Sequence, residues 1–221
     1  MKSILMKKIS NDEIPGPTLS RLCKIYGILE EMEERGDLST SSKEIGLRLG
    51  VASHNIRKDF TYIGEAGKTG SGYNVKKLMN EINQILGFEH EYNACVVGLG
   101  RLGTAIVNFE LPLTDNFKIV AGFDSNINRL ETIKTEIPVF PTYEIEEVVP
   151  RKKIELAVIT VPGPATFEVS KKLINGGIKG IVNFTPHILN FDSKEVFVRN
   201  IDLIGEFRYL SALFNLKSLN C

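Results

Sequence analysis

The sequence predicts an α/β protein in two parts, a small helical one followed by a parallel sheet covered by helices. Three observations carry this. Up to about residue 90 the apolar residues recur at helical spacing. Beyond Glu91 they gather into short continuous runs that alternate with helical stretches. Between the first two of those runs stands a glycine-rich turn, with a strand before it and a helix after it. The chain has 221 residues, 43% of them apolar and 24% charged, enough to fill a core in each part.

In the first part, Ile25, Ile28, Leu29 and Met32 define an amphipathic helix that ends before Gly36. Ser41 or Ser42 caps a short helix carrying Ile45, Leu47 and Leu49. Gly50-Val51-Ala52 makes a turn, and Ser53 is expected to cap a third helix through Ile56, Phe60 and Ile63. The run Gly67-Lys68-Thr69-Gly70-Ser71-Gly72 is too glycine-rich for a helix and suits a hairpin tip. A fourth helix runs from about Val75 to Leu86. In the second part, Ala94–Val97, Ile119–Phe123, Leu156–Val161 and Gly180–Phe184 are continuous rather than alternating apolar runs. Such strands are buried on both faces, which requires a parallel sheet with helices on each side.

The composition excludes several classes. Lys plus Arg and Asp plus Glu are both 27, so the chain is not a uniformly basic coat for nucleic acid, although a neutral total can hide a basic face. No apolar run reaches the ~18 residues of a membrane span. Cys23, Cys95 and Cys221 lie far apart with no CxxC pairing, against a disulfide framework or a structural zinc site. The expectation is a cytoplasmic protein with no membrane association.

Gly98-Leu99-Gly100-Arg101-Leu102-Gly103 matches GxGxxG, and its surroundings give the pattern weight. A buried strand leads in, a helix from Thr104 to Phe109 leads out, and Asp124 ends the next strand. Gly98 permits the tight turn, Gly100 lets a pyrophosphate approach the backbone, and Gly103 lets helix and strand pack closely. The amides of the helix N-terminus suit phosphate oxygens, and Asp124 suits ribose hydroxyls. A 2′-phosphate would meet the charge of Asp124, so NAD(H) is expected over NADP(H). The alternative is a glycine turn that binds nothing. The three histidines offer little for catalysis: His54 lies in the first part, His90 in the linker, and His187 just past a strand end. With no room for a substrate domain, the cofactor is expected to be bound without turnover, and the protein is not read as an enzyme.

The two short helices around Gly50-Val51-Ala52 have helix-turn-helix proportions. Between Lys43 and Asn80 seven cations (Lys43, Arg48, Arg57, Lys58, Lys68, Lys76, Lys77) face three acids (Glu44, Asp59, Glu65). Local positive charge supplies affinity for phosphates. Ser53, His54, Asn55 and Arg57 at the start of the reading helix offer donors and acceptors to base edges. Lys68 and its glycines could enter a neighbouring minor groove as a wing, with Tyr73 anchoring its base. The alternative is a helical dimerisation or lid domain with a solvated basic face.

The segment Ile56-Arg57-Lys58-Asp59-Phe60-Thr61-Tyr62-Ile63-Gly64, followed by Gly67, Gly70, Gly72 and Tyr73, closely resembles the recognition helix and wing of the Rex family of redox-sensing transcriptional repressors. The resemblance runs from Ile14-Pro15 and Arg21-Leu22 through the glycine loop and Phe123-Asp124. It continues through Thr160-Val161-Pro162, Gly177–Ile181, Asn183-Phe184-Thr185-Pro186 and Ile201-Asp202-Leu203.

This resemblance implies an N-terminal arm (1–13), a winged helix-turn-helix DNA-binding domain (14–90), a Rossmann-like dinucleotide-binding domain (91–203) and a C-terminal helix exchanged between subunits (204–221). It implies a homodimer on a pseudo-palindromic double-stranded operator, released when NADH binds. Lys58 and Tyr62 join the DNA-contacting residues, and Thr160, Val161, Pro162, Asn183, Thr185 and Pro186 join the NAD(H) site. Leu203, Phe207, Leu210 and Phe214 form an apolar stripe that suits an exchanged helix; a helix packed on its own sheet is the alternative. Many relatives have an arginine where this chain has Gly27 and a tyrosine where it has Phe109, both partnering an aspartate that matches Asp202. Only the aspartate remains, which implies weaker discrimination between NAD⁺ and NADH. The Rossmann-like half is also similar to the CoA-binding domain of acyl-CoA synthetase subunits, so a nucleotide- or CoA-binding metabolic subunit is the other reading.

Overall fold

The computed structural model describes residues 14–64, 72–108, 116–192, 194 and 196–218, and the chain separates into two compact units between Glu89 and His90. The expected arm 1–13, Lys68 with the tip of its loop, Phe109 and Cys221 lie outside the described residues.

The first unit begins with α1 (Gly16–Glu34), which opens after Pro15 with Pro17 in its first turn, where a missing N–H costs nothing. Strand β1 (Ser39–Thr40) leads to α2 (Ser42–Leu49). The Ser41 hydroxyl accepts the Glu44 N–H at 3.1 Å, and α2 ends on Gly50 at φ +66°, a left-handed stop that glycine adopts without strain. Helix α3 (Ser53–Tyr62) follows at once. The sequence predicts Ser53 as its cap, but the last extended residue is Ala52 and the Ser53 backbone is already helical, so no side chain caps α3. Strand β2 (Tyr73–Asn74) pairs antiparallel with β1. Asn74 then caps α4 (Val75–Leu86) by accepting the Lys77 N–H at 2.9 Å. Leu22, Ile25, Leu29, Ile45, Ile56, Phe60, Leu78 and Ile82, each at most 1% exposed, fill the centre.

A charge is locked into this apolar unit. Asp59 of α3 is 1% exposed, and its carboxylate accepts the Arg21 Nε and Nη2 donors at 2.7 Å each and the Thr18 hydroxyl at 3.0 Å. The two-pronged pair fastens α3 to α1 and raises the pKa of the Arg21 guanidinium, chiefly through its hydrogen bond to Asp59.

The second unit alternates strand and helix: β3 (Tyr92–Val97), α5 (Arg101–Val107), β4 (Phe117–Asp124), α6 (Ile127–Thr132), β5 (Val139–Pro141), α7 (Ile145–Arg151), β6 (Ile154–Ile159), α8 (Thr166–Asn175), β7 (Gly180–Asn183), β8 (Phe197–Asn200) and α9 (Leu203–Ser218). The sheet runs β5-β4-β3-β6-β7-β8 and every neighbouring pair is parallel. This is the doubly wound order, and it reverses direction between β3 and β6, where ligands of such sheets collect. The buried residues of β3 and β6 sit at its centre with Ile145, Val148, Leu173 and Ile181 packed around them. Leu156–Val161 was read as one strand; the strand stops at Ile159, and Thr160 and Val161 belong to the loop beyond it.

Helix α9 is different. None of its residues is buried within the chain, and Phe207, Tyr209 and Phe214 are each more than 60% exposed. Ile204, Leu213 and Leu216 are exposed too, so the apolar surface is wider than the stripe of Leu203, Phe207, Leu210 and Phe214.

The Arg21–Asp59 pair gives a direct test of the first unit. Replacing Arg21 by Met strands a buried carboxylate, which is expected to cost about 3 kcal/mol. Urea denaturation followed by circular dichroism measures that loss.

Candidate functional site

The loop between β3 and α5 is set by contacts that only glycine allows. Gly98 turns at φ +95°, and a Cβ there would lie 2.8 Å from the Val161 nitrogen and 2.9 Å from the Thr160 carbonyl carbon. At Gly103 a Cβ would overlap the Gly98 carbonyl oxygen and come within 2.8 Å of the Thr160 hydroxyl. At Gly100 the space is open. Two of the three glycines therefore bring strand, loop and helix together, and the third leaves room for something outside the chain. The first-turn amides of α5 have no acceptor within the helix and lie beside that room.

Thr160 braces the loop from just beyond the end of the neighbouring strand. Its hydroxyl lies 2.6 Å from the Gly98 carbonyl and 3.2 Å from that of Val97, while its N–H donates to Val97 at 2.9 Å. Val161 and Pro162 continue past it. At the other side Asp124, 3% exposed, ends β4. Its Oδ2 accepts the Leu99 N–H at 2.7 Å and the Arg129 Nη1 at 2.9 Å, and its Oδ1 accepts the Asn126 N–H at 2.8 Å. The sequence suggested an acid facing a ligand. The structure finds the same acid also holding the loop in place and paired with a cation that the spacing did not indicate. A carboxylate has about four acceptor directions, so three donors leave one for a ligand hydroxyl.

A groove beside this loop is lined by Leu99, Gly100, Arg101, Thr104, Asn108, Arg129, Ile133 and Lys134. Leu102, at 47% exposure, is on the same short helix. Asn183 and Thr185, at the end of β7, form a polar knot. The Asn183 amide donates to the His187 carbonyl at 2.7 Å and to Asn200 at 2.8 Å, and its carbonyl accepts the Thr185 N–H at 3.0 Å. The Thr185 hydroxyl lies 2.9 Å from that of Thr166. Their side chains are thus engaged inside the protein, while Pro186 and His187 are exposed. The His187 ring sits against Gly163, where a Cβ would come within 2.5 Å of its Nδ1.

In the first unit His54, Arg57 and Lys58 are exposed on α3, and Ser53, Asn55 and Tyr62 are half-buried there. Arg57 is held loosely, with Nη1 at 3.4 Å from the Ser42 hydroxyl and 3.5 Å from that of Ser53. Tyr73 meets Phe60 edge-on at 4.8 Å, so β2 rests on the core. Asp202 accepts the Gly205 N–H at 2.8 Å and closes the first turn of α9. A Cβ on Gly27 would meet nothing within 4 Å.

Residues 89–187 match the family model "CoA binding domain", and residues 13–61 match "Putative DNA-binding protein N-terminus". The redox-sensing transcriptional repressor Rex of Carboxydothermus hydrogenoformans is 37% identical over 205 residues, which cover 93% of this chain and 97% of that protein. The protein of the same name from Limosilactobacillus fermentum is 36% identical, over 90% of this chain and 92% of its own. Among solved structures, RSP in complex with beta-NAD+ and operator DNA aligns with a TM-score of 0.82 at 29% identity, covering 92% of this chain and 93% of that one. RSP in complex with beta-NADH aligns with a TM-score of 0.78 at 28% identity, covering 92% and 95%. Likeness of this extent, through both units, means that the chain belongs to the Rex family of redox-sensing transcriptional repressors.

Proposed function

We propose that the chain is a dimeric, cytoplasmic repressor that holds a pseudo-palindromic operator and lets it go when NADH occupies the groove beside the glycine loop. It is a regulator and not a catalyst. The observation that carries this reading is the likeness, over nine-tenths of the chain, to RSP bound to both beta-NAD+ and operator DNA.

The residues of each unit fit their part. On α3, Ser53, His54, Asn55 and Arg57 read base edges, while Lys58 and Tyr62 join the contacts to DNA, with Lys68 and Tyr73 serving the wing. In the second unit Gly98, Leu99, Gly100, Arg101, Leu102 and Gly103 form the phosphate-facing loop, and Asp124 offers its remaining acceptor to a ribose hydroxyl. Thr160, Val161 and Pro162 shape the wall across from it, and Asn183, Thr185 and Pro186 shape the far end. Bound dinucleotide supplies the signal, because the nicotinamide ring is charged only in its oxidised form. The protein converts that difference into DNA affinity by binding the two forms unequally in the operator-holding and released states.

The domain limits that fit this scheme are an arm at 1–13, a DNA-binding domain at 14–90, a dinucleotide-binding domain at 91–203 and an exchanged helix at 204–221. The exposed apolar surface of α9 supports the exchange, since a helix with no buried residue in its own chain gains from a partner. Asp202 caps this helix by accepting the Gly205 N–H, and Gly27 stands where many relatives have the arginine.

In a gel-shift titration with a pseudo-palindromic duplex, NADH is expected to weaken the shift more than NAD⁺ does. Equal weakening by both would leave a DNA-binding protein without redox sensing. Asp124→Asn should lower NADH affinity by about ten-fold or more, the worth of a hydrogen bond to a charged group, with operator binding of the cofactor-free protein retained. Arg57→Ala should do the reverse, costing about 1–3 kcal/mol of operator binding and sparing NADH binding, which the emission of NADH itself reports because the chain has no Trp. Replacing Phe207 and Phe214 together by Asp should convert the dimer to monomer, as read by light scattering after size-exclusion chromatography.

A further inference from the structure

Asn200, the last residue of β8, is the outer member of the polar knot around Asn183. Parallel register sets Val97 beside Ile159, Ile159 beside Asn183 and Asn183 beside Asn200. One row of residues therefore crosses the sheet from the foot of the glycine loop to the end of β8. The Asn200 Oδ1 accepts the Asn183 Nδ2 at 2.8 Å and the Leu189 N–H at 3.0 Å, and its Nδ2 donates to the Leu189 carbonyl at 2.9 Å. The amide thus pairs with the Leu189 backbone as a neighbouring strand would, and fixes the end of segment 184–189. Asn183 holds the middle of that segment through the His187 carbonyl at 2.7 Å and the Thr185 N–H at 3.0 Å. On the other side the Ile201 N–H donates to the Asn183 carbonyl at 2.8 Å, and Asp202, which closes the first turn of α9, follows directly.

We propose that Asn200 is a positioning residue for the response to NADH, because it ties segment 184–189 to the start of α9. This rests on the reading of Thr185 and Pro186 as part of the NAD(H) site and of α9 as the exchanged helix. Asn183, Thr185 and Leu189 are buried, so a displacement of the segment cannot trade these bonds for bonds to water without cost. The segment and the end of β8 move together or the knot breaks. Strand β8 is the last in the sheet, with β7 as its one neighbour, so its end is free to follow. An asparagine suits the position because its planar amide carries a donor and an acceptor side by side, and its oxygen has a second lone pair for Asn183. A network of hydrogen bonds between two moving parts is a physical route for coupling.

The test compares the whole wild-type chain with Asn200→Ala, Asn200→Asp and Val198→Ala, each first checked by a thermal melt. NADH affinity is titrated by the emission of NADH with and without a pseudo-palindromic duplex. The ratio of the two affinities measures coupling, and equals the factor by which NADH weakens operator binding. Asn200→Ala is expected to keep the operator affinity of the cofactor-free protein and to lower the ratio by about ten-fold, the loss expected on breaking a buried amide pair. Asn200→Asp keeps both acceptor bonds and loses the donation to Leu189, so its ratio should fall between the two; it carries the test if Asn200→Ala does not melt cooperatively. Val198→Ala loosens the packing of the same strand without touching the knot, and should keep the wild-type ratio. An unchanged ratio in the Asn200 variants overturns the inference, even if NADH affinity falls equally with and without duplex. So does an equal drop in Val198→Ala, which would make the effect one of strand packing. A wild-type ratio of unity overturns the reading of the chain as an NADH-released repressor.

Discussion

The bond from the Leu99 N–H to the Asp124 carboxylate joins the end of one central strand to the turn after its neighbour, across a gap that the sheet ladder does not bridge. The Thr160 hydroxyl, the Gly98 N–H bond to Phe123 and the Thr104 hydroxyl on the Leu99 carbonyl set the rest of the loop's path. The loop in turn decides where α5 starts, and the start of α5 decides where its unpaired amides lie. A single buried acid therefore organises the glycine loop and also stands beside the groove. It can do both because a carboxylate accepts in several directions at once, and the fold supplies donors for some of them and not for all.

The first unit uses a buried acid in a related way. Asp59 lies on the helix assigned to DNA, yet it faces inward and receives Arg21 and Thr18 from α1. Its neighbours Arg57 and Lys58 face out. Burying a charge in so small a core is costly unless its partners are complete, so the pair specifies one angle between α1 and α3 rather than adding much stability. In both units the candidate ligand-facing residues are carried on elements whose placement is fixed by a buried acid.

Much of this was legible in the sequence because it depends on residue types with few substitutes. The order Gly98, Gly100, Gly103 and then Asp124 announces a phosphate turn, since each position needs either no Cβ or a carboxylate. The helices of the first unit show in their spacing, and the ends of the second show at Ser41 and Gly50, where caps leave a chemical trace. What escaped was set by distance in the chain or by length. Strands β1 and β2 are two residues each, too short to carry a period. Asp59 counted toward the charge of a basic face because its partner stands 38 positions away. Ser53 read as a cap, although Ala52 makes the last extended turn. Arg129 gave no signal, because a cation on a short polar helix looks like any other solvated residue until the fold brings it to Asp124.

The left-handed turn at Gly98 and the contact at Gly103 have a consequence for how this sequence can change over generations. Every amino acid that replaces glycine brings a Cβ, and at both positions that carbon has nowhere to go except into the backbone of the adjoining segment. Gradual drift is therefore closed to the loop, since no intermediate residue is slightly larger and still tolerated. Descendants either inherit these two positions intact or abandon the loop altogether.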